Sequence, residues 1–159
     1  MLFKTGDLLD SNAEALVIPV NCVGVMGAGL ALEAKYKFHD SAKHYGRACI
    51  ENRLYIGNIL IDTINHEVTK YLVYFPTKLH WRENSRLEYI EEGLKTLRSK
   101  IINLGIKSIA LPRLGCGCGR LNWTEVKQLI LKYLNDLEDV DIQIISPPHH
   151  YHPHERLDS

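Results

Sequence analysis

The sequence has no net charge, because 19 lysines and arginines balance 19 aspartates and glutamates. A chain without a positive field has no general attraction for nucleic acid, although a local basic groove is compatible with this balance. No apolar run approaches the ~20 residues that a membrane span needs, and the N-terminus is too poor in apolar residues for a signal peptide. These absences predict a cytoplasmic protein that does not engage a membrane.

Cysteine is scarce, and its spacing is unlike that of a structural zinc site. Only four cysteines are present, and Cys116 and Cys118 are separated by a single residue, whereas zinc ligands usually have about two to four residues between them. We predict four reduced thiols, no metal and no other cofactor. Half of the eight histidines lie in the C-terminal stretch 149–159, which fixes no metal geometry and is expected to be a frayed tail.

The two common nucleotide-binding fingerprints are also missing. A P-loop ends in Gly-Lys-Ser or Gly-Lys-Thr, and a dinucleotide-binding fold requires G-x-G-x-x-G. Neither pattern occurs in the glycine-rich segments of this chain. A P-loop kinase and a nicotinamide-dependent dehydrogenase are therefore disfavoured.

What the chain does contain is two glycine-rich loops, each between a short apolar strand and a helical pattern. The first covers residues 21–29 after the strand 15–20, and the second covers residues 115–119 after the strand 108–111. Glycine lets the backbone approach a ligand closely, and the N–H groups at a helix start attract anions. The arrangement predicts two loops that enclose a diphosphate, although glycines that serve only the turns would give the same pattern.

Strands alternate with helices along the whole chain. The predicted strands are 2–5, 15–20, 57–64, 70–75, 106–111 and 140–145, and the predicted helices are 30–38, 40–52, 85–104 and 124–134. The apolar residues of 85–104 recur every three or four positions, and Gly105 follows as a typical helix C-terminal residue. We expect a three-layer α/β/α domain with a mixed, mostly parallel six-stranded sheet, because 57–64 and 70–75 pair as a hairpin. Ligands of such sheets bind at the carboxyl ends of the strands.

Several segments together resemble the macrodomain, an ADP-ribose-binding α/β/α module. They are Gly6-Asp7 after the first strand, Asn21 at the end of the second, both glycine loops, and the stretches FPTKLHWR (75–82) and GCGCGRLNW (115–123). The last two are similar to the macrodomains of the DarG antitoxins, whose subclass includes the terminal ADP-ribose glycohydrolase of animals. The resemblance covers residues 1–148. It implies an ADP-ribosyl glycohydrolase, a hydrolase that removes ADP-ribose from thymidine in single-stranded DNA. An ADP-ribose reader without turnover and an ADP-ribose-1″-phosphate phosphatase are the alternatives.

The resemblance also implies roles for individual residues. Asp7 would accept a hydrogen bond from the adenine amino group with Leu8 beside it, Ser146 and Pro147 would flank the adenine, and Asn21 would hold the distal ribose. The backbone of the two glycine loops would wrap the diphosphate and the distal ribose, through Gly24, Val25, Met26, Gly27, Ala28, Gly29, Leu30, Gly115, Cys116, Gly117, Cys118 and Gly119.

Lys78 matches the lysine on which the glycohydrolases of this subclass depend. A lysine attacks an electrophilic carbon only as the neutral amine, which burial or a nearby cation favours, and Trp81 and Arg82 would supply both. His80 is the rival acid or base in the same loop. His80, Trp81 and Arg82, with Arg86 beside them, are also candidate nucleic-acid contacts, although Trp81 could simply anchor the loop.

The pattern departs from the animal enzyme at Gly119, where that enzyme has a catalytic aspartate. The DarG pattern has glycine there, which favours the antitoxin branch. DarG proteins carry a further toxin-binding domain, whereas this sequence ends at Ser159. The implied partners are ADP-ribose or ADP-ribosylated single-stranded DNA and a DNA ADP-ribosyltransferase toxin, and we expect a monomer. Trp123, just inside a helix start, is predicted to be a core residue.

Overall fold

Six strands form one sheet in the computed structural model, which describes residues 1–148. They are β1 (Leu2–Thr5), β2 (Ala15–Asn21), β3 (Leu60–Thr63), β4 (Tyr71–Lys78), β5 (Ser108–Leu111) and β6 (Asp141–Ser146). Their order across the sheet is β1-β6-β5-β2-β4-β3. Only β3 runs antiparallel, against β4. The predicted mixed, mostly parallel sheet is confirmed, and the histidine-rich tail lies outside the described residues.

Four helices cover the two faces of this sheet. They are α1 (Gly29–Lys37), α2 (His39–Ile50), α3 (Leu87–Leu104) and α4 (Trp123–Leu134). Because successive side chains of a strand point to opposite faces, β2 supplies Val17 to the core under α3 and α4, and Leu16 and Ile18 to the core under α1 and α2. Two hydrophobic cores on either side of one sheet give the predicted three-layer architecture.

The helices begin and end within two residues of their predicted bounds, and Gly105 ends α3 in the left-handed conformation at φ 63°. α2 has no side-chain cap, and the hydroxyl of Ser41 in its first turn shares a hydrogen bond of 2.7 Å with the Tyr74 hydroxyl. β3 is shorter than predicted because Asn58 closes a turn, with its N–H donating to the Tyr55 carbonyl at 3.0 Å.

The predicted end of β4 at residue 75 is wrong, because the strand continues through Pro76 to Lys78. Proline has no N–H to donate to a neighbouring strand. The β3 ladder on β4 reaches only Tyr74, so Pro76 lies beyond it and has β2 as its single neighbouring strand. Lys78 is consequently a strand residue and not part of a loop.

None of the helices within residues 1–148 is long and apolar enough to span a membrane. In the same part of the chain, no three histidine, cysteine or acidic side chains come together as a metal site. All four cysteines are free thiols, as predicted.

Candidate functional site

A cavity of about 1130 Å³ opens at the carboxyl edge of the sheet. Five strands, all except β3, end at its wall, because parallel strands present their carboxyl ends at the same edge. Most of the predicted site residues line it: Asp7, Leu8, Asn21, Val25, Gly27, Ala28, Gly29, Leu30, Lys78, Trp81, Gly115, Cys116, Gly117, Cys118, Gly119, Ser146 and Pro147. The volume is slightly above the roughly 300–1,000 Å³ typical of small-molecule sites.

The strand order arranges these residues along one line. Asp7 follows β1, Ser146 ends β6, the second glycine loop follows β5, Asn21 ends β2 and Lys78 ends β4. Neighbouring strands lie about 4.8 Å apart, so the four intervals from β1 to β4 place Asp7 and Lys78 roughly 19 Å apart. The cavity is therefore an elongated groove with a carboxylate at one end and an amine at the other.

The start of α1 forms part of the wall between these ends. Its first helical hydrogen bond is donated by the N–H of Leu32 to the Ala28 carbonyl at 3.2 Å, and Ala28 provides no side-chain cap. The N–H groups of Gly29, Leu30 and Ala31 have no acceptor within residues 1–148, and all three residues line the cavity. Free N–H groups at the positive end of a helix dipole bind anions.

The second glycine loop leads into α4, whose first residue, Trp123, borders the cavity. Asn122 caps this helix with its own side chain, which accepts from the Glu125 N–H at 3.3 Å. The loop itself is a tight double turn, in which Leu121 N–H donates to the Gly115 carbonyl at 2.9 Å. Among the described residues, the N–H groups of Gly117, Cys118 and Gly119 have no acceptor, so the loop adds free backbone donors to the cavity wall.

Gly119 lies where no side chain fits. A Cβ added to it would overlap the hydroxyl of Ser85 and the carbonyl oxygen of Gly115. The Gly119 carbonyl in turn accepts a hydrogen bond of 3.0 Å from the Ser85 N–H, which joins the glycine loop to the segment between β4 and α3. An aspartate at position 119 is therefore excluded by the packing of the loop.

Asp7 has two functions in this structure. Its Oδ1 accepts the N–H of Leu9 at 3.0 Å, which caps the short 3₁₀ turn Leu8–Asp10. Its second oxygen has no donor within the described part of the chain and borders the cavity. Across the groove, burial and the nearby charge of Asp7 raise the pKa of Glu33 above its usual range. A hydrogen-bond donor is needed at this end to offset two neighbouring carboxylates.

The side-chain amide of Asn21 makes most of its hydrogen bonds to the first glycine loop. Its Oδ1 accepts the N–H groups of Val23 at 3.1 Å and Val25 at 3.3 Å, and its Nδ2 donates to the Val25 carbonyl at 2.8 Å. The Tyr45 hydroxyl donates to the same Oδ1 at 3.0 Å. One N–H of the amide has no acceptor within residues 1–148, and this is what Asn21 can offer to a ligand.

Lys78 is buried, with 8% of its surface exposed, and it borders the cavity. Its Nζ donates to the carbonyl oxygen of Trp81 at 3.3 Å. None of the ion pairs within residues 1–148 includes Lys78. Lys78 therefore presents to the cavity a buried amine that has one carbonyl partner and no carboxylate partner among the described residues.

The loop after Lys78 brings the other predicted residues together. The ring of Trp81 is 46% exposed and borders the cavity, the Arg82 guanidinium lies 4.6 Å from its centroid, and the His80 ring lies 5.3 Å from it. His80 and Arg82 do not line the cavity. The Nδ1 of His80 accepts the N–H of Arg82 at 3.1 Å, so His80 serves the conformation of this loop.

Two thiols, that of Cys116 on the cavity wall and that of Cys22 away from it, are poor nucleophiles. Burial raises the pKa of Cys116 to about 12, although the Arg113 charge acts in the opposite direction. Burial and the neighbouring Cys49 raise the pKa of Cys22 to about 11. Both side chains remain neutral thiols near neutral pH.

Three predicted residues, Gly24, Met26 and Trp123, lie elsewhere than expected, and Arg113 is a site residue that was not predicted. Gly24 and Met26 do not line the cavity, and the Met26 side chain is buried in the core under α1 and α2. Trp123, predicted to be a core residue, packs on the core but also borders the cavity, with the Arg113 guanidinium 5.0 Å from its ring. Arg113 donates to the Ser146 hydroxyl at 2.7 Å. Its position two residues after β5, at the carboxyl edge of the sheet, was the signal for it in the sequence.

Comparison with known proteins agrees with this geometry. The family model described as Macro domain matches residues 17–130. A protein of Thermus aquaticus named DNA ADP-ribosyl glycohydrolase is 47% identical over 146 residues, which are 91% of this chain and 41% of that protein. This chain also covers 42% of the length of a Mycobacterium bovis relative that has the same name. The chain thus spans about two fifths of the length of the curated relatives that it matches.

Two solved structures have the same fold and a related sequence. The macrodomain of Mycobacterium tuberculosis DarG superposes with a TM-score of 0.87 at 41% identity, covering 92% of this chain and 98% of that one. Thermosipho africanus DarTG in complex with ADP-ribose superposes with a TM-score of 0.85 at 35% identity, covering 96% of this chain and 43% of that one.

Proposed function

The chain belongs to the macro domain family, and from this premise we propose that it binds ADP-ribose and removes it from a modified macromolecule. The observation that supports the reaction is Lys78, a buried amine at one end of the groove with no carboxylate partner among the described residues. The related protein of Thermus aquaticus carries the name of such a glycohydrolase.

The groove suits ADP-ribose at each point along its length. The free oxygen of Asp7 accepts a hydrogen bond from the adenine amino group, and Ser146 and Pro147 flank the adenine ring. The N–H groups at the start of α1 and in the second glycine loop bind the diphosphate. Asn21 donates its remaining N–H to the distal ribose, which brings the anomeric carbon to Lys78.

Lys78 then acts as the nucleophile. The neutral amine attacks the anomeric carbon, the bond from that carbon to the modified base breaks, and the proton lost by the amine goes to the departing nitrogen. Water next adds to the ribosyl carbon, breaks its bond to Nζ and returns a proton to the amine. The products are ADP-ribose and the unmodified base, and Lys78 is regenerated.

Single-stranded DNA modified on thymidine is the substrate that we propose. The rim around Lys78 is formed by exposed apolar side chains, with Val23 at 45%, Leu79 at 45% and Trp81 at 46% exposure. The Cys22 N–H donates to the Leu79 carbonyl at 3.2 Å, so the two loops of this rim are joined. An aromatic rim stacks a base, and Arg82 on the Trp81 ring can contact a phosphate. A DNA ADP-ribosyltransferase is the proposed protein partner.

Two measurements test this proposal. Calorimetry with ADP-ribose should show one binding site, and absence of heat would remove the proposal entirely. Incubation with an ADP-ribosylated single-stranded oligonucleotide should release free ADP-ribose, as measured by chromatography. Tight binding without release would make the protein a reader, and release of inorganic phosphate from ADP-ribose-1″-phosphate would make it a phosphatase.

A further inference from the structure

We propose that Tyr45 is a positioning residue for the reaction, which holds Asn21 and the first glycine loop in place behind Lys78. This inference rests on the proposed function. Tyr45 lies on α2, is fully buried and does not border the cavity. It therefore acts on the ligand only through another residue.

The hydroxyl of Tyr45 donates to two acceptors of the same residue. It lies 2.8 Å from the backbone carbonyl oxygen of Asn21 and 3.0 Å from the side-chain Oδ1. Burial raises the pKa of Tyr45 far above its usual range, so the hydroxyl keeps its proton and remains a donor. One hydroxyl thus fixes both the main chain and the side chain of Asn21.

Asn21 in turn holds the first glycine loop through hydrogen bonds. Its Oδ1 accepts three donors, from Tyr45, Val23 and Val25, and its Nδ2 donates to the Val25 carbonyl. These partners fix which end of the amide carries oxygen and therefore where its remaining N–H points. Without the Tyr45 hydroxyl, Oδ1 keeps two backbone donors but loses the contact that holds it against α2.

Asn21 is also the residue of β2 that pairs with Lys78 on β4, at the point where the register shifts. A displacement of Asn21 therefore changes both the donor to the distal ribose and the strand neighbour of the proposed nucleophile. Small displacements of this kind reduce the rate more than the affinity, because neither Tyr45 nor Asn21 is hydrogen-bonded to Asp7, to the start of α1 or to the second glycine loop, where the adenine and diphosphate contacts are proposed.

The chain contains a matched control for Tyr45. Tyr74 stacks on Tyr45 with ring centroids 5.2 Å apart, and it is equally buried. Its hydroxyl bonds to Ser41 at 2.7 Å and does not contact Asn21 or border the cavity. Tyr74→Phe consequently removes a buried hydroxyl from the same aromatic stack without touching the glycine loop.

The experiment compares Tyr45→Phe and Tyr74→Phe in the full 159-residue chain. Urea unfolding should show a lowered midpoint for both variants, since each leaves a buried acceptor or hydroxyl unpaired. Turnover of an ADP-ribosylated single-stranded oligonucleotide should show kcat reduced about tenfold for Tyr45→Phe with a KM within about threefold. Tyr74→Phe should keep kcat within about twofold. Equal losses in both variants, or an unchanged kcat for Tyr45→Phe, would overturn the proposal.

A second readout separates this inference from the proposed function. Amide hydrogen exchange of Val23 and Val25 should be faster in Tyr45→Phe than in Tyr74→Phe, whether or not the protein is an enzyme. If the wild type releases no ADP-ribose, the proposed function fails, and the exchange rates still decide whether Tyr45 holds the loop. Unchanged exchange in Tyr45→Phe would refute that role.

Discussion

Asn21 on β2 lies opposite Lys78 on β4. This pair is shifted by one residue from the register of the preceding pairs of the two strands. Val20 pairs with Pro76, but Asn21 pairs with Lys78, so Thr77 is the extra residue of a bulge. Because side chains alternate between the faces of a strand, a shift of one residue reverses the side on which each following side chain lies. The bulge pairs Lys78, and not Thr77, with Asn21, whose amide we propose to hold the distal ribose.

Lys78→Ala should abolish turnover while ADP-ribose affinity remains nearly intact. The amine is proposed to act on the anomeric carbon, whereas binding comes from Asp7 and from backbone N–H groups. We expect kcat to fall by at least about 100-fold with little change in KM. Lys78→Arg should be equally inactive, because a guanidinium keeps its charge and is not deprotonated. Kinetics with an ADP-ribosylated oligonucleotide and calorimetry with ADP-ribose provide the two readouts.

Lys100→Ala is the control for this pair of variants, since Lys100 is exposed on α3, far from the groove. It should behave as the wild type in both assays. An active Lys78→Arg would reduce Lys78 to an electrostatic role, and an active Lys78→Ala would place the chemistry on another group.

Asp7→Ala and Asp7→Asn should separate the two functions of this carboxylate. Alanine removes the cap of the 3₁₀ turn and is expected to cost about 1 kcal/mol of stability. Asparagine keeps an oxygen for the Leu9 N–H but presents an amide donor to the adenine amino group, which is itself a donor. Both variants should bind ADP-ribose more weakly in calorimetry, while only alanine should unfold at a lower urea concentration. Wild-type affinity in Asp7→Asn would contradict the adenine contact.

Gly119→Ala should destabilise the protein and weaken ADP-ribose binding. The added methyl would overlap the Ser85 hydroxyl and the Gly115 carbonyl, and overpacking of this kind costs about 1–3 kcal/mol. Gly46→Ala is the matched control, because Gly46 lies in α2 with open space at its Cβ position. Gly46→Ala should be neutral or stabilising by about 0.5–1 kcal/mol, as alanine is the better helix former. Urea unfolding of both variants provides the test, and a stable, tightly binding Gly119→Ala would disprove the close packing.

Ser85→Ala should leave stability unchanged or slightly raised. The Ser85 hydroxyl is buried and has no hydrogen-bond partner among residues 1–148, so its removal relieves a desolvation cost. Ser41→Ala should instead cost about 1–3 kcal/mol, because it leaves the Tyr74 hydroxyl buried without its partner. Similar losses in the two variants would mean that the Ser85 hydroxyl has a partner in solution.

Much of this architecture follows from the sequence. The spacing of hydrophobic residues and the positions of the glycines predict all four helices, the six strands and both glycine loops. Each of these elements has a local sequence pattern, and the tertiary packing agrees with it. Gly105 ends α3 as expected, since only a residue tolerant of positive φ fits there. The carboxyl-edge location of the groove follows from the alternation of strands and helices alone.

The sequence was misleading where a contact with another strand or side chain determines the local structure. Pro76 is a typical strand terminator, and its place within β4 depends on where the β3 ladder stops. Trp123 looks like a core residue at a helix start, and its position beside the cavity depends on how Arg113 stacks on it. These are tertiary relationships that no local window contains.

The crowding at Gly119 also constrains how such a site can evolve. A single substitution to aspartate meets the Ser85 hydroxyl and the Gly115 carbonyl before its carboxylate can reach a ligand. Acquiring a lysine–aspartate pair therefore requires at least one further change, which makes room in the loop before the aspartate can be accommodated. Glycine at position 119 is thus expected to persist as long as Ser85 and the turn at Gly115 keep their present positions.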